Sequence, residues 1–143
     1  MLFRSCAGGV VFFEDKVLIL QNEKNEWILP KGAIRNGYLS RDVALSRVIE
    51  ETGIKPEIIS TIGETCYEFY SISRQKPVCN EITWYLMTAS DDQCKLSKEL
   101  GFKDVGFFPV DEALDKITYS QDRSLVSLSY KKYKELSKKE MMI

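Results

Sequence analysis

The chain contains no histidine among its 143 residues. This absence excludes Ser-His-Asp and Cys-His catalysis, histidine metal ligands and a histidine general base. Any proton transfer must therefore use carboxylates, lysine or tyrosine. The cysteines show no Cys-x-x-Cys pair, so their spacing does not indicate a zinc site. We expect all four to be reduced thiols, mostly buried; they are Cys6, Cys66, Cys79 and Cys94.

A strong net charge and long apolar runs are also lacking. The formal net charge is −1, so no global field draws the protein to nucleic acid or to a membrane. There is no basic stripe to support RNA binding. No apolar run reaches membrane-spanning length, and the N-terminus lacks the pattern of a signal peptide. We therefore expect a cytoplasmic protein without a membrane partner, in which a small anionic ligand needs a local basic site.

The composition and the hydrophobic pattern predict one packed domain over residues 1–143. The hydrophobic fraction is 44%, which suits a globule with one core. Strand patterns cover residues 4–13, 17–21, 27–29, 57–70, 81–89 and 106–109. Helical patterns cover residues 41–52, 111–116 and 122–135, with Ser40 as the expected N-cap and Gly53 as the stop of the first helix. The tail from Lys138 to Ile143 is expected to be frayed.

The first helix carries two neighbouring acids close to a glycine turn. Arg47, Glu50 and Glu51 share one helical face. Paired carboxylates with a nearby backbone oxygen are ligands that magnesium accepts, and Gly32 could bring its carbonyl close to such a cation. Lys31 could contact a phosphate as a point charge. A simpler interpretation is a solvated helix face on which the arginine only pairs with the two acids.

The segment from Gly32 to Ile54 resembles the Nudix box, G-x5-E-x7-R-E-U-x-E-E-x-G-U, where U is a bulky aliphatic residue. The positions in register are Gly32, Val48, Glu50, Glu51, Gly53 and Ile54. Tyr38 replaces the first glutamate, Ser46 the arginine and Arg47 the glutamate after it. The likeness extends to residues 7–12, 27–32 and 107–113. Pro30-Lys31-Gly32 looks most like the diadenosine and diphosphoinositol polyphosphate branch.

The resemblance implies an α+β fold, the Nudix α/β/α sandwich with a mixed β-sheet between helices. It implies a pyrophosphohydrolase that cleaves a nucleoside-diphosphate-linked substrate, such as a dinucleoside polyphosphate, by magnesium-assisted attack of water. Mg²⁺ or Mn²⁺ would be held by Glu50, Glu51 and the Gly32 carbonyl, and Lys31 would contact phosphate.

Arg47 stands where many family members have a metal ligand or the base, so this chain needs a base from elsewhere. Glu99 is the candidate we favour, and Asp104 and Glu81 are two others. Each of the three can also be interpreted as an ordinary surface carboxylate.

Several aromatic and basic residues are candidates for substrate binding. Tyr70 and Tyr85 could stack on a nucleobase, and the other rings considered are Tyr67, Phe69, Trp84 and Tyr119. Strand alternation would place about half of these rings in the core instead. Arg74 and Lys76 could reach terminal phosphates from a loop, or could be solvated surface.

A second function, from a different class, remains open. Arg47 could itself occupy the cation's place and bridge Glu50 and Glu51 by charge-assisted hydrogen bonds. The chain would then be a catalytically impaired scaffold that binds a nucleotide or a protein partner. The expected substrate of the hydrolase is a small nucleotide or polyphosphate. The substrate, the base and the oligomeric state stay open.

Overall fold

A mixed sheet forms the centre of the structure, a computed structural model that describes residues 1–141. Its strands are β1 Leu2–Phe13, β2 Lys16–Gln21, β3 Trp27–Ile28, β4 Lys31–Ala33, β5 Glu57–Ser71, β6 Lys76–Thr88 and β7 Asp104–Pro109. The helices are α1 Ser40–Thr52, α2 Val110–Lys116 and α3 Ser120–Met141, with a 3-10 turn at Lys98–Leu100. In these residues the strand order is β3-β2-β1-β6-β5, with β4 paired to β1 and β7 to β2. β1 and β6 run parallel, and their other neighbours are antiparallel.

The helices cover both faces of the sheet. Successive strand side chains point to opposite faces, so β1 serves two cores. Val10 and Phe12 pack with residues of α2 and α3 on one face. Ala7 and Val11 pack with Ala44 and other residues of α1 on the opposite face. The expected α/β/α sandwich with a mixed sheet is therefore confirmed. No helix in residues 1–141 is long and apolar enough to cross a membrane.

α1 ends where the sequence predicts and begins differently. Gly53 adopts a left-handed conformation, with φ of 76°, and its N–H donates to the carbonyl of Ile49 at 2.9 Å. The predicted N-cap is wrong: Leu39 occupies that position without a side-chain cap, and Ser40 is the first helical residue. The Ser40 hydroxyl is instead hydrogen-bonded to the hydroxyl of Tyr85.

Three elements differ from the sequence prediction. β4 lies outside the predicted strand patterns, but Lys31–Ala33 pairs with β1. β6 begins at Lys76 and not at residue 81, because the β5–β6 hairpin pairs as far as its turn. α3 extends through Lys138 to Met141, so the prediction of a frayed tail is wrong for those residues. Its remaining part, residues 142–143, lies outside the described residues.

Two cysteines form a cross-strand disulfide. Cys66 on β5 and Cys79 on β6 are bonded, with their Cα atoms 6.7 Å apart. The strand register places Cys66 opposite Glu81 and Cys79 opposite Glu68, so the two thiols are diagonal neighbours on one face. The expectation of four reduced thiols is therefore wrong for this pair. Cys6 and Cys94 are free.

Candidate functional site

Gly32 on β4 lies against the arginine of α1. β4 pairs with β1 so that Gly32 is opposite Ala7, on the face that α1 covers. A Cβ built at Gly32 would lie 2.6 Å from the Cδ and 2.7 Å from the Cγ of Arg47. Real side chains do not approach so closely, so glycine at this position leaves the space that the arginine fills. We call this place, formed by Lys31, Gly32, Arg47, Glu50 and Glu51, the crease.

The guanidinium of Arg47 joins both acids of the crease. Its Nε and Nη2 atoms lie 3.0 and 2.9 Å from Oε2 of Glu51. Its Nη1 atom lies 3.3 Å from Oε2 of Glu50. Nε is also 3.4 Å from the backbone carbonyl of Lys31. One side chain therefore connects both carboxylates to the β4 backbone.

The two acids have different surroundings. The side chain of Glu51 is 2% exposed, whereas that of Glu50 is 56% exposed. Burial raises the pKa of Glu51 to about 7, against the opposing effects of the Arg47 and Lys31 charges and of hydrogen bonds. A buried carboxylate is costly without a partner, and Arg47 is the partner that the helix supplies.

The crease does not fit the divalent metal that the resemblance implies. The side chains described, those of residues 1–139, contain no cluster of three or more acidic, cysteine or histidine groups suited to a metal. Both expected carboxylate ligands, Glu50 and Glu51, are hydrogen-bonded to Arg47, which also packs on Gly32. Mg²⁺ needs oxygen ligands in near-octahedral geometry, and a guanidinium at the same place repels a dication.

Lys31 points to the opposite side of β4. A Cβ built at Gly8 would lie 2.8 Å from the Cβ of Lys31 and 2.6 Å from the ring of Trp84, which is in the core on the α3 side. Hydrogen bonds with Tyr119 and Asn22 lower the pKa of Glu26, and the charge of Lys31 adds a smaller effect. Burial raises the pKa of Asp122, and the charge of Lys31 opposes that increase. The charge of Lys31 also opposes the increase that burial causes in the pKa of Glu51.

A polar group lies on that α3 side, and of its members only Tyr67 was among the residues that the sequence indicated. Arg4, Asn80 and Tyr67 are side by side across β1, β6 and β5. Asn80 is 6% exposed, and its Nδ2 donates to the Tyr67 hydroxyl at 2.7 Å. Its Oδ1 is buried without a hydrogen-bond partner in the part of the chain that the structure describes. Asp122, at the start of α3, is 9% exposed.

A sequence signal for Asn80 was available. The inward series of β6 otherwise consists of Val78, Ile82, Trp84 and Leu86, all buried apolar residues. One amide in such a series is unusual, because a buried polar group is costly unless it is bonded. Asp122 had no comparable signal, because a carboxylate in the first turn of a helix is common.

The three candidate bases occupy different places. Glu99, in the 3-10 turn, lines a cleft together with Glu50, Gly53 and Lys95. Asp104 accepts a hydrogen bond from the amide of its neighbour Val105 at 2.8 Å. Glu81 is opposite Cys66 on the exposed part of the β5–β6 hairpin. Of the three candidates, only Glu99 lies in a cleft that a crease residue, Glu50, also lines.

The predicted stacking rings and loop cations are mostly outside the crease. Tyr85 is 8% exposed and is bonded to Ser40, so neither of its faces is open. Trp84 is fully buried. Tyr70, Arg74 and Lys76 are exposed at the far end of the β5–β6 hairpin. Thr83 of β6 and Gly32 of β4 both pair with Ala7 of β1, so Thr83 marks the level of the crease. Lys76 is seven residues away from Thr83 along β6, a distance of about 23 Å.

The fold is that of Nudix hydrolases, and the chain belongs to this family. The NUDIX domain model matches residues 2–128. Members of the family are hydrolases that act on small nucleotide substrates and generally use divalent metal ions. These findings confirm the predicted family, whereas the activity and the ligand of this chain stay predictions. The branch within the family stays a prediction.

Sequence and structure relatives agree with this assignment. A relative from Mycobacterium tuberculosis, with the provisional name mutator protein MutT4, is 28% identical over 103 residues, 72% of this chain and 40% of the relative. The chain thus spans two fifths of the length of that protein. The dihydroneopterin triphosphate pyrophosphohydrolase of E. coli superposes with a TM-score of 0.70 at 16% identity, over 88% of this chain and 95% of the other. An Ap4A hydrolase of C. elegans gives 0.66 at 19% identity, over 87% and 93%.

Proposed function

We propose that this chain is a pyrophosphohydrolase of low turnover that acts on a nucleoside-diphosphate-linked substrate, such as a dinucleoside polyphosphate. The observation that carries the proposal is the crease itself. The two acids kept from the box, Glu50 and Glu51, are joined by the Arg47 guanidinium, which packs on Gly32 of β4, and the side chain of Lys31 lies on the other side of the same strand. Such a place can hold a diphosphate between positive groups.

The proposed chemistry uses residues of this chain. Lys31 and Arg47 would contact the phosphoryl oxygens and stabilise the charge that develops on them. Glu99, in the cleft that Glu50 also lines, would accept a proton from a water molecule. The water oxygen then bonds to phosphorus as the bond from phosphorus to the bridging oxygen breaks, and the leaving phosphate takes the electron pair. Turnover would be low because a guanidinium does not lower the pKa of water as a bound metal does.

The nucleoside would lie on the α3 side of the sheet. On β1, Arg4 pairs with Asn80 and Gly8 pairs with Lys31. These two β1 residues are four positions apart. That separation is about 13 Å of strand, which suits a nucleoside attached to a diphosphate. The unpaired Oδ1 of Asn80 could accept a hydrogen bond from a base, and the half-exposed ring of Tyr67 could stack on it.

The position of Arg47 favours a second candidate, a scaffold that binds a nucleotide without cleaving it. Mg²⁺ or Mn²⁺, held by Glu50, Glu51 and the Gly32 carbonyl, would require Arg47 to leave both carboxylates. If it never leaves, the chain lacks the metal that the family uses for catalysis. A protein partner and a cytoplasmic location stay predictions on either candidate.

Product analysis on a substrate panel tests the proposal. The panel contains dinucleoside polyphosphates, nucleoside triphosphates, sugar nucleotides and diphosphoinositols, each with and without magnesium. We expect slow cleavage of one class, and loss of that cleavage in Glu99→Gln. Glu112→Gln, which changes an exposed acid of α2, is the matched control and should retain the cleavage, whereas cleavage that persists in Glu99→Gln would indicate a contaminating hydrolase.

A restored box separates the two candidates. The triple variant Tyr38→Glu, Ser46→Arg, Arg47→Glu restores the family pattern. Product from the triple variant, with none from the wild type on any substrate, would favour the binding scaffold and overturn the hydrolase.

A further inference from the structure

We infer that Arg47 is a built-in cation, which takes the place of the divalent ion and gives the crease a metal-independent affinity for polyphosphate. The inference deepens the proposed function at the same site, but it concerns binding and does not depend on turnover. Its starting point is the mismatch between the crease and a metal: the guanidinium lies between the two carboxylates that would be ligands.

Arg47 retains donors for a ligand. A guanidinium has five N–H donors in a planar fork. Each of its three nitrogens directs one N–H to the protein: Nη1 to Glu50, Nη2 to Glu51, and Nε to the Lys31 carbonyl. One N–H on each terminal nitrogen is left, and 33% of the side chain is exposed. Arginine can therefore hold the acids and also present a pair of donors to phosphate oxygens, the geometry in which it binds them best.

The charge of the crease supports the same conclusion. When both acids are ionised, the charges of Arg47 and Lys31 balance those of Glu50 and Glu51. A crease that is already neutral has little attraction for a dication, and an incoming dication would also be repelled by the guanidinium. A polyphosphate can displace the exposed Glu50 carboxylate from Nη1, because that contact is the longer one, at 3.3 Å.

The position of the guanidinium is fixed before any ligand arrives. Its aliphatic part lies on Gly32, where only a hydrogen leaves room for it. Its Nε is held by Glu51, which is itself buried. A cation held in place by packing and by a buried partner loses little conformational entropy on binding. A metal ion, in contrast, would first have to be recruited from solution.

Isothermal titration calorimetry with the full chain tests the inference. The probes are inorganic tripolyphosphate and the non-hydrolysable α,β-methylene-ADP, each titrated with EDTA present and then with excess magnesium. We expect binding in EDTA and no gain in affinity with magnesium. Absence of binding in EDTA, or affinity that rises about tenfold or more with magnesium, would overturn the inference.

Variants locate the binding at Arg47. Arg47→Gln should weaken tripolyphosphate binding in EDTA about tenfold or more. Arg41→Gln, which removes an exposed cation from the same helix, should bind as the wild type does. Because Arg47→Gln leaves Glu51 buried without its partner, the double variant Arg47→Gln, Glu51→Gln serves as a neutral pair that folds without that penalty. If either Arg47 variant binds as well as the wild type does, the inference is wrong.

The calorimetry separates this inference from the proposed hydrolysis. Tight binding in EDTA by a wild type that releases no product would contradict the hydrolase and support the built-in cation. Cleavage of a substrate by a wild type that does not bind tripolyphosphate in EDTA would support the hydrolase and overturn the built-in cation.

Discussion

Two nitrogens of the Arg47 guanidinium, Nη2 and Nε, lie 2.9 and 3.0 Å from the same carboxylate oxygen of Glu51. This pair includes one of the three positions at which the chain departs from the Nudix box. Glu51 matches a glutamate of the Nudix box. Arg47 stands where the box has another glutamate, which changes the charge at that position by two units. The same carboxylate that would hold a metal ion in a family member here holds a side chain.

Substitution of Gly32 should dislodge the arginine. In Gly32→Ala the new Cβ overlaps the Cδ and Cγ atoms of Arg47, so we expect unfolding free energy to fall by about 1–3 kcal/mol. Urea denaturation measures the change. The double variant Gly32→Ala, Arg47→Ser removes the overlap, and Gly32→Ala should cost much less in that background. Equal costs in both backgrounds would show that the arginine does not fill this space.

The pKa of Glu51 predicts an unusual pH dependence of stability. Its pKa is raised from 4.5 to about 7 in the folded chain, mainly by burial, so folding favours the protonated acid. The contribution of this group to stability is complete below pH 4.5 and is lost as the pH rises through 7. The shift corresponds to roughly 3 kcal/mol. Relative to Glu51→Gln, the wild type should lose stability across this window in denaturation at several pH values; parallel profiles would contradict the assignment.

Asn80 should act on nucleotide binding and not on polyphosphate binding. Asn80→Leu has a similar volume and removes an amide oxygen that is buried without a partner, so we expect stability to be unchanged or to rise by about 1 kcal/mol. Affinity for α,β-methylene-ADP should fall several-fold, by roughly the value of one hydrogen bond. Affinity for tripolyphosphate, which has no base, should not change. Equal losses for both ligands would place Asn80 outside a nucleoside pocket.

Thiol titration tests the cysteine pairing. The bond between Cys66 and Cys79 closes a hairpin, and Cys6 and Cys94 are free. Protein denatured without reductant should therefore show two reactive thiols per chain, and reduction should release the other two. Constraint of a loop of this length should stabilise the folded chain by about 3 kcal/mol, a gain that Cys66→Ser, Cys79→Ser should remove. Four reactive thiols before reduction would contradict the pairing.

The features that could be predicted from sequence are those encoded locally. α1 and its stop at Gly53 follow from a helical pattern and a residue that adopts positive φ at no cost. The strands of the central sheet follow from alternation and apolar runs. The positions of Glu50, Glu51 and Arg47 on one face follow from helical spacing, and the structure joins these three as that spacing indicates.

The remaining features depend on contacts between distant segments. β4 is three residues long and contains a glycine, so only its pairing with β1 makes it a strand. The bond between Cys66 and Cys79 requires the β5–β6 register, which no local pattern states. The packing of Arg47 on Gly32 joins a helix to a strand fifteen positions away. The sequence could suggest a guanidinium in the cation's place. Only the three-dimensional structure shows the packing and the buried partner that hold it there.

Manganese binding, followed by electron paramagnetic resonance of the free ion, tests most directly whether Arg47 has replaced the metal. Without nucleotide, the wild type should leave the signal of free Mn²⁺ unchanged, because its two acids are held by the guanidinium. Arg47→Glu should reduce that signal, since it adds a third carboxylate and removes the competing charge. Strong binding of Mn²⁺ by the wild type, lost in Glu50→Gln, would show that Arg47 yields its place and would contradict the account.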